Sequence, residues 1–484
     1  MPFFIKIKQM GKTTFLKIIS IVFLIMFVFL EVPILTKSSF LVNLLVLLGF
    51  TYYNIKIEKE FSPFLSVFIV FNLLFFIVAP LIQINEIVSI GFKGTGSFIQ
   101  AFPFYENICI RANLYILIFN CVFAFFYLYF KKIIATKTTI QKEYKNTPIV
   151  LLFLFLFCVI VFLINIQTVI FQFQHEYYEE AEQTSVSKYL IVQKFLFFIP
   201  LAGIILSYIY LKSKDWSYKN YKFVLLLFIG FLTILLILKN PLTEKRNALG
   251  PLYITLLFLF FKKYLSDNYK VLRFMFVSMV FFFPLMSIIT HSRYSLSQMI
   301  AKPILLYKNI EYLSVADAFN SLHYDAYPNF LATIDYFDNK TIVYGEQLLC
   351  SLFFFVPRSI WESKPDTTGF VVGNYLIDKY KFNWDNLSNP YISEGYINFG
   401  FIGILLFAVI LSFVFVKMIK WLQSGDILKS IFAFYFAIYL MYFLRGDLTS
   451  GFAYIMAFLI AVVYLPKIFF LFRSEERRVG KECR

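Results

Sequence analysis

The chain is a succession of long apolar runs separated by short polar segments. Runs long enough to cross a bilayer, about 20 residues each, recur along nearly the whole sequence. Their unbroken apolar character predicts helices, because the strands of a membrane barrel would alternate apolar and polar residues. We therefore predict an all-α polytopic membrane protein with about twelve transmembrane helices. The predicted spans are 16–35, 39–54, 62–83, 112–131, 148–170, 190–211, 223–238, 248–262, 273–290, 396–417, 429–444 and 450–471.

The charged residues between these runs predict the topology. Twelve spans place both termini on the same side of the membrane. Lysines between Lys6 and Lys17 precede the first span, and the basic segments 131–145, 212–222 and 262–273 fall on that same side. The alternate connections are acidic or nearly neutral. The positive-inside rule then places both termini in the cytoplasm, for a multi-pass protein of the cytoplasmic (inner) membrane.

One connection is much longer than the others. Residues 291–395 separate nine helices in 1–290 from three helices in 396–472. By the predicted topology this segment is a large, structured extracytoplasmic loop. It contains predicted amphipathic or interfacial helices at 295–313 and 374–380, and an apolar run at 346–357 that is too short to cross. A long loop with structure of its own is usually functional, although a cap that only shields the bundle is the alternative.

Composition removes several other classes of protein. The chain is 60% hydrophobic and 15% charged, and its net charge is +16. The lysines lie between apolar runs, where topology requires them, so we expect no nucleic-acid partner. The cysteines show no CxxC or metal spacing, the histidines are scattered, and no GxxxxGK loop is present. We therefore expect no disulfide framework, no catalytic metal and no cofactor.

The two ends of the chain differ from its body. The first apolar run lacks a small-residue cleavage site, so we expect a retained helix and not a removed signal peptide. The segment 473–484 contains four arginines, although the rest of the chain strongly prefers lysine. We interpret this segment as a non-native tail and draw no function from it.

Arginine is rare in the body of the chain and its placement is unusual. Up to residue 472 there are 34 lysines but six arginines. By the predicted topology all but one of the six lie on the outer side, which the positive-inside rule disfavours. The arginine fork meets phosphate or carboxylate oxygens in pairs, so this placement indicates an anionic, membrane-embedded substrate such as a lipid-linked pyrophosphate. Contact with lipid headgroups or a local ion pair is the alternative for each residue. The six are Arg111, Arg246, Arg273, Arg293, Arg358 and Arg445, of which Arg273 is the cytoplasmic one.

Three segments carry a family resemblance. They are HYDAYPNFLATIDYF (323–337), VPRSIWESKP (356–365) and SEGYINFGFIGILL (393–406). With their Pro-Arg…Trp…Lys-Pro and Glu…Asn-Phe-Gly…Gly spacings, they resemble the oligosaccharide repeat-unit polymerases of bacterial surface polysaccharides, the Wzy-type O-antigen polymerases. KRNALGP (245–251) resembles the outer-loop arginine of that family, although Glu244 and Lys245 precede Arg246 where several members have a small residue. The motifs cover 239–410, and the rest of the chain is similar by span count.

The resemblance implies an inverting, metal-independent glycosyl transfer on the outer face of the membrane. The donor would be a polyprenyl-pyrophosphate-linked glycan, and the acceptor a sugar hydroxyl on another lipid-linked repeat unit. The product would be a surface polysaccharide such as lipopolysaccharide or capsule. Besides the lipid bilayer, a chain-length regulator and a flippase are the partners that such a system implies.

The implied chemistry assigns roles to residues of this sequence. Negative charge on the departing pyrophosphate needs cations, and the proton of the acceptor hydroxyl needs a carboxylate. Each carboxylate candidate also has a purely structural alternative. Glu394 would interact with the helix dipole, and Asp325 would be a turn or cap residue before Pro328. For the aromatic residues the alternative is interfacial anchoring. The assigned residues are Asp325 and Glu394 for proton transfer, Arg246, Arg293 and Arg358 for pyrophosphate, Lys364 and Arg445 as second choices, and Tyr324, Tyr327 and Trp361 for sugar stacking.

Two other functions remain open. A ligase that transfers finished glycan from the same lipid carrier would share the donor chemistry. A flippase for lipid-linked oligosaccharides would be expected to hold charged residues inside its spans, where this sequence has few, Lys194 being an exception.

Overall fold

The computed structural model describes residues 11–90, 98–134, 147–174, 191–213, 218–241, 246–282, 298, 301–305, 318–340 and 344–471. Within these ranges the chain forms helices and no strand. Most of the predicted helix at 295–313, part of the predicted span at 273–290 and the tail at 473–484 lie outside the described residues. The helices are α1 Lys12–Phe29, α2 Ile34–Ile57, α3 Pro63–Ser89, α4 Glu106–Ile133, α5 Thr147–Ile164, α6 Ile166–Gln174, α7 Ile191–Lys212, α8 Tyr218–Leu238, α9 Arg246–Phe260, α10 Asn268–Val277, α11 Ala326–Asn339, α12 Glu346–Leu352, α13 Thr368–Tyr380, α14 Tyr391–Leu422, α15 Ile427–Arg445 and α16 Leu448–Leu471.

The fold is that of an α-helical protein with many membrane-spanning helices. Nine helices of the described residues are long and apolar enough to cross a membrane, and two further apolar helices, Leu16–Phe29 and Asn247–Phe260, are shorter. The first break comes earlier than predicted. Pro33 is the N-cap of α2, so that helix begins at Ile34 and not near residue 39.

The predicted span at 396–417 belongs to a helix that reverses direction. Tyr391 and Phe407 are sixteen residues apart, which in a continuous helix is about 24 Å, yet the Tyr391 hydroxyl donates to the Phe407 carbonyl at 3.3 Å. The reversal lies at Gly400, whose φ of 59° and ψ of −145° suit glycine alone. Gly395 and Gly403 meet across it, because a Cβ on Gly403 would lie 1.8 Å from the Gly395 carbonyl oxygen. Residues 391–399 are thus a short arm packed antiparallel on the start of the long arm, 401–422.

Helices α11 and α13 form a cap with a small core of its own. Phe102, Ala332, Val372 and Leu376 contribute to that core. The cap is also tied to the helix bundle, because the Tyr327 hydroxyl donates to the Cys109 carbonyl of α4 at 3.2 Å. The cap comprises α11, α13 and the segment 381–390, whereas α12 packs on α16.

Candidate functional site

The turn between α15 and α16 is the centre of the candidate site. Its sequence is Arg445-Gly446-Asp447-Leu448, in which Arg445 ends one helix and Leu448 begins the next. The Asp447 side chain accepts from the Ser450 backbone N–H and caps α16, which is why the chain starts a new helix at this point. The other carboxylate oxygen of Asp447, Oδ1, is buried and has no hydrogen-bond partner among the described residues. Burial raises the pKa of Asp447, and the Lys194 charge acts in the opposite direction.

Arg445 joins this turn to the start of the cap. Its Nε donates to Asp325 Oδ1 at 2.9 Å, and its Nη2 donates to the Leu322 carbonyl at 2.7 Å. The Asp325 side chain is 5% exposed and that of Arg445 18% exposed, so the ion pair is nearly dry. Burial raises the pKa of Asp325 more than the attraction of Arg445 lowers it. Asp325 occupies the N-cap position of α11, but its side chain makes no capping hydrogen bond and faces Arg445 instead.

Glu394 reaches the same turn from the short arm of α14. Its side chain is buried, with 1% of the residue exposed. Its Oε1 accepts from the Thr368 hydroxyl at 2.6 Å and from the Leu448 backbone N–H at 3.1 Å. The carboxylate therefore lies at the N-terminus of α16 as well as in the first turn of α14, a favourable position for a negative charge.

The structure thus brings together three of the predicted site residues. Arg445, which binds Asp325, and Leu448, which binds Glu394, are three residues apart in the chain. Both candidate carboxylates are consequently held by one tight turn.

The residues just before the segment VPRSIWESKPD pack against the start of α16. The Ser351 and Thr449 hydroxyls are 2.7 Å apart, and the rings of Phe354 and Phe452 are in edge contact. Arg358 donates through Nη1 to the Lys364 carbonyl at 2.7 Å and through Nη2 to Asp366 Oδ1 at 2.5 Å, and its side chain remains 56% exposed.

Lys364 and Trp361 support the loop from inside. The Lys364 ammonium donates to the carbonyls of Phe353, Phe354 and Val356, which follow the end of α12. Trp361 packs edge-on against Phe353, and its indole N–H donates to the Ser363 hydroxyl at 3.2 Å.

The remaining predicted residues lie elsewhere. Tyr324 and Tyr327 are buried; the Tyr324 hydroxyl donates to the Met279 carbonyl and its ring contacts Phe75, so neither offers an open face to a sugar in this conformation. Arg246 begins α9, but its side chain lies outside what the structure describes, and Arg293 lies outside the described residues altogether.

Two buried lysines were not assigned a role from the sequence. Lys194 Nζ lies 3.9 Å from the centre of the Tyr454 ring, on α16. Lys239, just after α8, lies 3.4 Å from Gln193 Oε1 and 5.1 Å from the centre of the Phe198 ring. The available signal was a lysine inside or at the end of an apolar run, which is costly in a membrane and commonly functional.

The described helices define a multi-pass α-helical membrane protein. No protein-family model, no curated protein and no solved structure matches the chain. Within the described ranges, no group of three or more His, Cys, Asp or Glu residues is arranged to hold a metal ion.

Proposed function

We propose that this protein is a glycosyltransferase that polymerises polyprenyl-pyrophosphate-linked oligosaccharide repeat units into a surface polysaccharide. The sequence motifs around Asp325, Arg358 and Glu394 support the proposal through their resemblance to Wzy-type polymerases. The single observation that carries it is the α15–α16 turn, where Arg445 binds Asp325 and the Leu448 N–H binds Glu394. Two buried carboxylates and an arginine at one turn, beside a loop with an exposed arginine, supply the groups that metal-independent transfer requires.

The reaction would be a single displacement. The acceptor hydroxyl oxygen attacks the anomeric carbon of the donor, and the bond from that carbon to the pyrophosphate oxygen breaks with its electron pair. The hydroxyl proton passes to a carboxylate, for which Glu394 is the stronger candidate. Both of its hydrogen bonds from described residues fall on Oε1, which leaves Oε2 for the proton. Asp325 fits a positioning role, because its Oδ1 is engaged in the ion pair that attaches Arg445 to the start of α11.

The surroundings of Arg358 support a role for it in binding the pyrophosphate. The apolar side chains around it are exposed, including Leu352, Phe355 and Ile360. Exposed apolar residues beside an arginine are typical of a segment that lies at a lipid surface. A lipid-linked pyrophosphate has the matching structure, with an anionic group at the end of an apolar chain.

The flippase alternative is favoured by one observation. Lys194 and Lys239 are buried within or at the end of apolar helices, where a transporter would hold an anionic substrate. The two functions differ in where intermediates accumulate, and the same cellular experiment separates them.

The proposal is tested in a strain that lacks the native gene, complemented with wild type or with Arg358→Ala. Surface glycans are then separated by size. We expect single repeat units without the gene, a ladder with wild type, and loss of the ladder with Arg358→Ala at unchanged membrane abundance. Repeat units trapped on the cytoplasmic face would indicate a flippase, and long polymer stranded on its carrier would indicate a ligase.

A control variant separates a role on substrate from a role in the loop. Asp366→Asn removes the ion pair of Arg358 but keeps the guanidinium. If Arg358 acts on the pyrophosphate, Asp366→Asn retains the ladder. Equal loss in both variants would mean that Arg358 only holds the loop, and the assigned role would be wrong.

A further inference from the structure

A groove opens between the cap helices α11 and α13. It has a volume of about 390 Å³, within the usual range of about 300–1,000 Å³ for small-molecule sites. The lining positions on α13 follow helical spacing, so they share one face of that helix. Its polar and aromatic lining consists of Tyr336 from α11, Lys340 at the C-cap of α11, and Asn374, Tyr375, Asp378 and Lys379 from α13.

One wall of the groove is fixed by a buried carboxylate. Asp335 Oδ2 accepts from the Tyr375 hydroxyl at 2.7 Å, the Lys379 ammonium at 2.7 Å and the Tyr380 hydroxyl at 2.9 Å. The rings of Tyr336 and Tyr375 meet edge to face, with centres 5.4 Å apart. This network holds the two helices together and sets the aromatic side chains in place before any ligand arrives.

Three polar side chains that line the groove have no hydrogen-bond or ion-pair partner among the described residues. The side chains of Lys340, Asn374 and Asp378 make no hydrogen bond or ion pair with another described residue. Lys340 and Asp378 carry opposite charges, and Lys379 is neutralised by Asp335. The groove therefore combines aromatic rings with balanced polar groups that both donate and accept.

We propose that this groove binds an uncharged, hydroxyl-rich glycan segment. Sugar rings present C–H faces to aromatic side chains and hydroxyls that both donate and accept, which matches Tyr336 with Asn374 and Asp378. A nucleotide or another strongly anionic ligand would require an excess of cations, which these balanced charges do not provide. That the glycan belongs to the enzyme's own substrate or product rests on the proposed function.

The placement of the groove supports the same ligand. Both of its helices start at the α15–α16 turn, since α11 follows Asp325 and α13 begins at Thr368, the partner of Glu394. The groove lies further along both helices. From Asp325 to Tyr336 the helical rise gives about 16 Å. A short glycan whose reacting end lies at the turn would therefore reach the groove with its next sugars.

The test measures binding of the full-length protein in detergent to a defined probe. The probe is the repeat-unit oligosaccharide released by mild acid from the host's own surface polysaccharide, free of lipid. We expect wild type to bind it, and Asn374→Ala and Asp378→Ala each to weaken binding about threefold to tenfold, the effect of one hydrogen bond. The matched control Asn386→Ala, an exposed asparagine of the cap outside the groove, leaves binding unchanged.

Two outcomes would overturn the inference. One is no measurable binding by wild type at millimolar probe, and the other is binding that both groove variants leave intact. The fate of the proposed function is read separately, from the deletion strain. There we expect groove variants to shorten the ladder and not to abolish it. If the protein binds the probe but the ladder does not depend on the gene, the glycan-binding groove is supported and the polymerase function is refuted.

Discussion

The ion pair between Asp325 and Arg445 gives the sharpest test of how the cap is attached to the helix bundle. At 2.9 Å and an effective dielectric constant of about 20, the gross Coulomb attraction is about 6 kcal/mol. Burial of the carboxylate offsets this attraction, because the pKa of Asp325 is raised and not lowered. Arg445→Met removes the attraction but leaves the burial, so we expect a loss of about 3–5 kcal/mol.

The two single variants should differ in a defined direction. Asp325→Asn leaves an arginine that still donates to the Leu322 carbonyl and retains some contact with water, so its loss should be about 1–3 kcal/mol. The double variant leaves no buried charge behind. Its loss should therefore be smaller than the sum of the two single losses.

The assay is the apparent melting temperature of the detergent-purified protein at one heating rate, because membrane proteins of this size commonly unfold irreversibly. Arg445→Met should lower it on the order of 3–5 °C, because a chain of 484 residues has an unfolding entropy of about 1 kcal/mol per kelvin. Arg111→Met is the control, because it breaks the exposed pair with Asp338 and should cost less than about 1 kcal/mol. The reasoning would be refuted if the losses of the two single variants added up in the double variant. It would also be refuted if Arg445→Met lowered the melting temperature less than Asp325→Asn.

The pH dependence of Arg445→Met supplies an independent check. Without the arginine, the folded-state pKa of Asp325 rises further above its unfolded value of about 3.9. A carboxyl group with a raised pKa favours the folded state while it is protonated, and that stability is lost as pH rises through the folded-state pKa. The deficit of Arg445→Met relative to wild type should therefore be small near pH 4 and largest at alkaline pH. A deficit that grows on acidification would contradict the assignment.

Two further predictions concern α14. Glu394→Gln retains an oxygen that can accept from Thr368 and Leu448, so we expect normal membrane abundance but no ladder; a normal ladder would exclude Glu394 as the base. Gly403→Ala places a Cβ 1.8 Å from the Gly395 carbonyl oxygen, so folded protein in the membrane, measured by fluorescence-detected gel filtration, should fall severely. Gly49→Ala, with open space around it, should change little, and equal losses would contradict the helix reversal.

The sequence predicted the elements better than their arrangement. Apolar runs longer than a bilayer crossing identify helices directly, and the helix over 374–380 agrees with α13. The reversal at Gly400 was not predicted, because the run around it is apolar on both sides. The available signal was the pair Gly400 and Gly403 within one apolar run.

Candidate residues for the site could be proposed from the sequence, but the sequence did not predict which of them lie together. Asp325 and Arg445 are 120 positions apart, and nothing local in either segment indicates that they meet. Lys364 was predicted to bind pyrophosphate because it follows Arg358 in a cationic loop; in the described conformation it binds carbonyls of its own loop. The role of Lys364 on the substrate stays a prediction. A local sequence pattern does not show which acceptors within the fold a charged side chain will bind.

The contacts of the three cations explain why the chain uses arginine at some of these positions and lysine at another. An ammonium has three donors, and that of Lys364 meets three carbonyls of its own loop. A guanidinium has donors on three nitrogens. Among the described residues, Arg445 uses Nε and Nη2 for Asp325 and Leu322 and makes no contact through Nη1, whereas Arg358 uses Nη1 and Nη2 and makes none through Nε. Each arginine can therefore be anchored by the protein and still offer a donor to a phosphate oxygen. A lysine making the same two contacts would have one N–H left on a single nitrogen, whereas the planar guanidinium presents its remaining donors in a fixed direction away from the anchored ones.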